Sequence, residues 1–194
     1  CCGKGRHSIY LNKKGFRVIG TDLSEQSICE ANESANETLE FYQHDMRKLF
    51  RTNYFDVVFN LFTSFGYFEK REDDLHVFDS VQKALKSNGL FVFDYLNSEY
   101  VKSRMVECDS KTIDGITFNI SKKIEDNTIV KSIDFIDKGQ SFHFEERVKL
   151  FDKTYFEGLA KECDLTILNT FGNYQLQEFD VNTSPRLILV LQKK

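Results

Sequence analysis

A glycine pair near the start of the chain and an aspartate some twenty residues on could together hold a nucleoside. In Cys1-Cys2-Gly3-Lys4-Gly5 the glycines open a predicted helix, where backbone N–H groups can approach a ligand closely because no side chain intervenes. Asp22 ends the strand predicted next and can accept hydrogen bonds from both hydroxyls of a ribose. This arrangement suits any adenosine-containing cofactor. A dinucleotide fingerprint would need a third glycine where Ser8 stands, which weakens a nicotinamide reading without removing it. A plainer reading as solvated turn acids stays open for Asp22 and Asp45.

The cysteines suggest no metal chemistry. Cys1, Cys2, Cys29, Cys108 and Cys163 form an odd set without paired ligand spacing, and neighbouring cysteines rarely bridge. Cys1 and Cys2 are read as walls of the loop, and a reducing, cytoplasmic location is expected. No metal site is expected.

The elements that would position these residues can be read from hydrophobic periodicity. Residues 6–14 read as a helix stopped by Gly15, and 16–21 as a short apolar strand ending at Asp22. Ser24 is a candidate N-cap for a helix that carries Ile28, Ala31 and Ala35 on one face. Strands are expected at 39–42 and 55–61. Leu75, Phe78, Val81 and Leu85 give a helix its apolar face, with Asn88-Gly89 ending it before a strand at 90–93. Such alternation predicts a parallel sheet with helices on both faces and ligands at the carboxyl ends of the strands. The pattern then changes. Segments 116–124, 128–136 and 141–150 read as an antiparallel meander. A helix capped by Asp152 and strands at 165–171 and 186–192 resume the α/β theme, so the 100–150 region is expected to be an insertion.

The bulk properties fit one folded domain of 194 residues, with 41% apolar and 29% charged residues and a single proline. The net charge of −4, with basic residues scattered among acids, argues against nucleic acid as a partner. No apolar run approaches the roughly 20 residues that span a bilayer, and no membrane association is expected.

The loop Cys1-Cys2-Gly3-Lys4-Gly5-Arg6-His7 resembles the tail of the signature D-x-G-C-G-x-G-R of class I S-adenosylmethionine (SAM)-dependent methyltransferases, with Cys1 where the first glycine usually stands. The family's acidic residue two positions earlier is absent. Asp22-Leu23-Ser24 resembles the family's ribose-binding strand end, His44-Asp45-Met46 its adenine-contacting turn, and the run from Phe55 to Phe62 its fourth motif. The four stand in the family's order. Leu85 to Asp94 looks like the helix, turn and strand that follow, and Ser184-Pro185-Arg186 like the start of the last strand in small-molecule members, so the resemblance covers nearly the whole chain.

By that resemblance the fold is α/β, a Rossmann-like doubly wound sheet, mostly parallel with an antiparallel last strand, plus the inserted meander. Residues 1–99 and 151–194 would form the SAM-binding domain, and 100–150 a subdomain over the active site or at a dimer contact. Cys1, Gly3 and Gly5 would face the cofactor's methionine part, Asp22 with Leu23 the ribose, Asp45 and Met46 the adenine, and Asn60 with Leu61 the sulfonium. Because such a loop follows a central strand, the natural chain is expected to extend upstream by a helical segment and a strand ending in an acidic residue.

The reaction would be in-line methyl transfer to a small molecule, at nitrogen or oxygen. Holding donor and acceptor in near-attack geometry supplies much of such catalysis, and only a hydroxyl acceptor needs a base within reach. The segments after the strands at 55–61 and 90–93 should line the acceptor pocket, which nominates Phe65, Tyr67, Tyr95 and Asn97; Arg147 and Arg186 would add charge there. Tyr67, Tyr95 and His143 are the candidate proton-transfer groups. Core aromatics and paired surface charges are the plainer readings. The competing functions are a SAM-binding or partner-binding protein without catalysis, a transfer that modifies the cofactor itself, and a nicotinamide oxidoreductase. The oligomer is left open between monomer and homodimer.

Overall fold

The computed structural model describes all 194 residues. Three sheets account for its strands. β1 (Val18–Asp22) and β2 (Leu39–Gln43) pair in parallel, with α1 (Arg6–Lys13) before them and α2 (Glu25–Asn32) between. Ser24 caps α2, its hydroxyl accepting the Ser27 N–H. The small core here, Ile28, Ala31, Leu39 and Phe41, joins α2 to β2.

The second sheet runs β3 (Phe55–Asn60), β4 (Leu85–Leu96), β10 (Arg186–Lys193) and β9 (Leu165–Phe171). β3 is parallel to β4, whereas β10 is antiparallel to both β4 and β9, as expected of the last strand. α3 (Arg71–Ala84) and α5 (Lys153–Glu162) supply Val77, Phe78, Phe156 and Leu159 to the main core, against Phe91, Phe93 and Tyr95 of β4. Asp152 caps α5 by accepting the Tyr155 N–H.

Two expectations about this half need correction. α3 ends at Ala84 rather than running to Asn88-Gly89, because Leu85 leaves the helical region and pairs with Phe55. Asn88, in the left-handed region, sits in a register shift within β4. The sheet is also not continuous. β1 pairs only with β2, and β3 only with β4, so each keeps a free edge, and the two free edges line opposite sides of one cavity of about 1080 Å³. Val18 to Thr21 and Phe55 to Leu61 line it residue by residue, so backbone faces the space rather than one side-chain row.

The third sheet is the meander β5 (Cys108–Ile113), β6 (Ile116–Glu125), β7 (Thr128–Asp137) and β8 (Gln140–Lys149), antiparallel throughout. α4 (Ser98–Arg104) and β5 were not foreseen; Asn97 caps α4 by accepting the Glu99 N–H. The meander joins the main core through Ile129 and Val148. Its outer half carries a row of aromatic rings, Phe118, Phe135 and Phe142, with Phe144 beside them and more than half exposed.

Candidate functional site

The loop from Cys1 to Gly5 begins on the free edge of β1, where the Cys2 N–H donates to the Thr21 carbonyl at 2.9 Å. Gly3 then turns left-handed (φ 53°) and donates its N–H to Asp22 Oδ2 at 2.8 Å. A Cβ at Gly3 would meet nothing within 4 Å, which leaves room for a ligand against the backbone. Gly5 is a glycine for another reason: a Cβ there would lie 2.7 Å from the Phe41 ring, so its bareness serves the packing of α1 on β2. The second Asp22 oxygen accepts the Ser24 N–H at 3.0 Å, which fixes the carboxylate at the end of β1. Leu23 projects into solvent beside it.

Asp45 and Met46 follow β2. Arg47 grips Asp45 through its backbone N–H, Nε and Nη2, and those side-chain hydrogen bonds, above all, hold the carboxyl well below the ordinary range, at about 2. The same guanidinium reaches Asp73 on α3 at 3.0 Å. Met46 faces inward, with its sulfur 3.7 Å from Cys1 Sγ and 3.9 Å from the Asn60 amide nitrogen. Asn60, 8% exposed, carries a buried Oδ1 with no partner. A buried amide oxygen left unpaired is costly, and at the carboxyl end of a strand it points to a ligand's hydrogen-bond donor. Leu61 lines the cavity beside it.

Gly3, His7, His44, Met46, Asn60, Leu61 and Ser64 therefore meet at one end of the cavity, the carboxyl ends of β1 and β3. Residues 1–89 of this chain match a family model described as a methyltransferase domain. The match takes in 89 of the 194 residues, a little under half of the chain. YqeM of Bacillus subtilis (strain 168), which carries a provisional methyltransferase designation, is 37% identical over 102 residues. That match spans 50% of this chain and 40% of YqeM, so the chain covers well under two thirds of its curated relative. The fold extends further. A SAM-dependent methyltransferase of Clostridium acetobutylicum ATCC 824 superposes with a TM-score of 0.86 at 20% identity, covering 99% of this chain and 81% of that one. SAM-bound CalS10, an amino pentose methyltransferase of Micromonospora echinaspora, gives 0.75 at 15% identity over 100% of this chain and 80% of that one.

On the other side of the cavity the sequence expectations need revision. Phe65 and Tyr95 are 0% exposed and belong to the main core, so neither has surface to offer a substrate. The Tyr95 hydroxyl donates to the Lys149 carbonyl, and burial pushes its pKa up. Along β4, residues 91, 93 and 95 all point toward α3 and α5, and that period-2 row buries Tyr95. Asn97 is buried too, its amide donating to the carbonyls of Val181 and Ser184, both at 2.8 Å. Tyr67, half exposed, donates to Glu146 Oε1 at 2.8 Å, tying the loop after β3 to the meander; burial and then that carboxylate raise its pKa. His143 sits on the meander 2.7 Å from Asp134 Oδ1, and Arg147 pairs with Glu145 and Glu125; neither lines the cavity. Arg186 is committed to Asp94 at 2.8 Å and to the Thr63 hydroxyl.

Other residues take the vacated place. His7 and Phe62 line the mouth with their rings stacked, centroids 4.9 Å apart. Partial burial, then the nearby Arg6 charge, lowers the His7 pKa, favouring the neutral imidazole. His7 was visible as one histidine among four; Phe62 gave no signal beyond following a strand.

Proposed function

We propose that this chain is the catalytic domain of a SAM-dependent methyltransferase acting on a small-molecule acceptor, and that the acceptor atom is an amine nitrogen. The single observation that carries the reading is that Gly3, its N–H tied to Asp22, and the unpaired Asn60 Oδ1 line the same cavity. The open space over Gly3 and the orphaned oxygen fit an adenosyl-methionine ligand. Cys1, Gly3 and Gly5 would hold its amino-acid end, Asp22 and Leu23 its ribose, and Asp45 and Met46 its adenine, with Asn60 and Leu61 beside the sulfonium. When bound, the cofactor supplies an electrophilic methyl group.

The chain's own contribution is to bind, orient and desolvate. An amine acceptor can shed its proton to water, whereas a hydroxyl needs a base in the site. Tyr67, Tyr95 and His143 are all absent from the cavity lining, and His7 is the imidazole held at its mouth. The structural neighbour CalS10 acts on an amino pentose, an acceptor that carries an amine, and that precedent is the ground for choosing nitrogen.

Residues 1–99 and 151–194 form the transferase domain in this reading, in a Rossmann-like arrangement, and 100–150 the insertion. The gap between β1 and β3 takes one more parallel strand, contributed by the protein upstream of the cofactor loop. It would join the two sheets in the order β2, β1, added strand, β3, β4, β10, β9.

Calorimetric titration of the full-length protein with the demethylated cofactor tests the proposal, and micromolar binding is expected. Absence of binding by a folded full-length protein overturns it. Transfer of labelled methyl to any member of an amine panel would reject a purely binding role.

A further inference from the structure

Phe62 (φ 59°) and Thr63 (φ 60°) both adopt the left-handed backbone region directly after β3, and neither is glycine. Two such residues in succession persist only where their surroundings over-determine them. Here Asp94, with its ion-pair partner Arg186, supplies the restraint. The Asp94 carboxylate, 1% exposed, accepts the Phe62 N–H at Oδ2 (2.8 Å), the Tyr174 hydroxyl at the same oxygen (3.1 Å) and Arg186 Nε at Oδ1 (2.8 Å). Its main-chain carbonyl accepts the Thr63 N–H at 3.1 Å, and Arg186 Nη2 donates to the Thr63 hydroxyl at 2.8 Å.

The held turn places the half-exposed Phe62 ring in a row. The His7 imidazole stacks on it at 21°, the Tyr174 ring lies 5.7 Å away, and the Arg6 guanidinium carbon sits 5.4 Å from its centroid. The row runs from α1 on the cofactor-loop side, across the carboxyl end of β3, to the loop after β9. Arg6, His7 and Phe62 of this row line the cavity together with Asn60, and Tyr174 backs Phe62 from outside the lining.

We infer that Asp94 is a positioning residue for methyl transfer: it holds the Phe62–Thr63 turn so that Phe62 closes an aromatic clasp with His7 and Tyr174, walling the acceptor against Asn60. The clasp excludes water from the transfer site and selects acceptors that present an apolar or flat face to the rings. Asp94 itself touches no reacting atom. The inference rests on the methyltransferase reading, but its first test does not.

Residues 1–194 hold no tryptophan, so Phe62→Trp in the full-length protein, with any tryptophan outside these residues replaced by phenylalanine, provides a single fluorescent reporter inside the clasp. Adding Asp94→Ala should shift the emission to the red and increase acrylamide quenching, with far-UV circular dichroism unchanged. Equal emission and quenching with Asp94 present or absent overturns the clasp. Should the alanine variant fail to fold, Asp94→Asn decides: it keeps an acceptor for the Phe62 N–H and loses the ion pair, so intermediate quenching is expected and native quenching overturns the inference. With Phe62 intact, Asp94→Ala should lower turnover on an amine acceptor on the order of 10²-fold, as misplacement of a positioning group does. Binding of the demethylated cofactor should stay near native. Thr63→Gly, which takes the left-handed region freely, should restore part of that turnover. A loss that glycine does not rescue, accompanied by equal loss of cofactor binding, marks a merely structural role. If the unsubstituted protein binds no cofactor, the methyltransferase reading fails, while the fluorescence comparison still decides the clasp.

Discussion

The Tyr155 hydroxyl donates to Asp74 Oδ2 at 2.7 Å, while the other oxygen of that carboxyl group, buried beneath α5, has no partner at all. Burial dominates and pushes the Asp74 pKa up, against the smaller opposing effect of the Tyr155 hydrogen bond. The sign follows from linkage. With the native pKa above the unfolded one, the native state holds its proton longer, so this group's stabilising contribution is full below about pH 4 and is lost as pH rises through the native value. Asp74→Asn keeps an acceptor for Tyr155 and removes the ionisation. It should match the native protein at acid pH and equal or exceed it at pH 7, whereas Asp74→Ala, which strands the Tyr155 hydroxyl, should lose about 1–3 kcal/mol at either pH. Urea denaturation at both pH values checks this, and an asparagine variant weaker at pH 7 would refute the assignment.

Tyr95 and His143 should prove dispensable for chemistry. The Tyr95 hydroxyl satisfies the Lys149 carbonyl next to Gly66, where an added Cβ would fall 2.4 Å from that same oxygen. Tyr95→Phe should therefore cost about 1 kcal/mol of stability and leave KM for the acceptor unchanged. Gly66→Ala should be worse, by about 1–3 kcal/mol, through overpacking. His143→Ala, on an exposed meander position, should leave turnover within error. A tenfold fall in kcat for either Tyr95→Phe or His143→Ala would return that residue to the site.

The misreading of Tyr95 shows what was legible in the sequence. The apolar spacing of α3 and α5 announced those helices because burial imposes a period, whereas Val57-Val58-Phe59 announced its strand as a β-branched and aromatic run. α4 and β5 went unseen because Ser98–Arg104 has little apolar surface and all of Cys108–Ile113 is exposed. Among the cofactor candidates, Gly3 and Asp22 stood out because both sit where the chain changes from one element to the next. The parity of Phe91, Phe93 and Tyr95 was also present in the sequence and would have sent Tyr95 to the core and Asp94 to the other face. The bond from Tyr174 to Asp94 spans 80 residues, and the left-handed Phe62–Thr63 turn uses no glycine, so neither leaves a local trace.

Asp45 offers a sharper test of the cofactor side, because Arg47 already occupies both of its oxygens. Its depressed pKa means that the pair stabilises the fold above about pH 4 and loses that contribution as pH falls toward 2. If Asp45 also receives the adenine amino group, Arg47→Ala should leave cofactor binding intact or tighter while raising the Asp45 pKa toward the ordinary value. Asp45→Asn should weaken binding roughly tenfold, about 1.4 kcal/mol. Calorimetry with both variants, together with carboxyl chemical shifts followed against pH, separates the two effects. Equal weakening by both would mean that the ion pair, rather than Asp45 itself, shapes the adenine side.

The free edges of β1 and β3 make the most consequential prediction. A strand edge presents a row of backbone donors and acceptors, and the cavity between these two is lined by backbone on both sides. Val57 and Phe59 are 38% and 47% exposed, although a central strand of a helix-covered parallel sheet is ordinarily buried on both faces. One added parallel strand would pair both edges and cover those side chains at once. Because the Cys2 N–H already lies on the β1 edge at Thr21, a strand running straight into the cofactor loop would continue along β1 without a turn. Hydrogen exchange resolved by residue should therefore find the gap-facing amides of Val18–Asp22 and Phe55–Asn60 fast in residues 1–194 alone, and strongly protected when the upstream sequence is present. Cofactor binding should appear with that protection, since the loop carrying Gly3 is anchored by the same strand. Protection already complete in residues 1–194 would mean that the edges are closed in some other way, and that the gap accepts no strand.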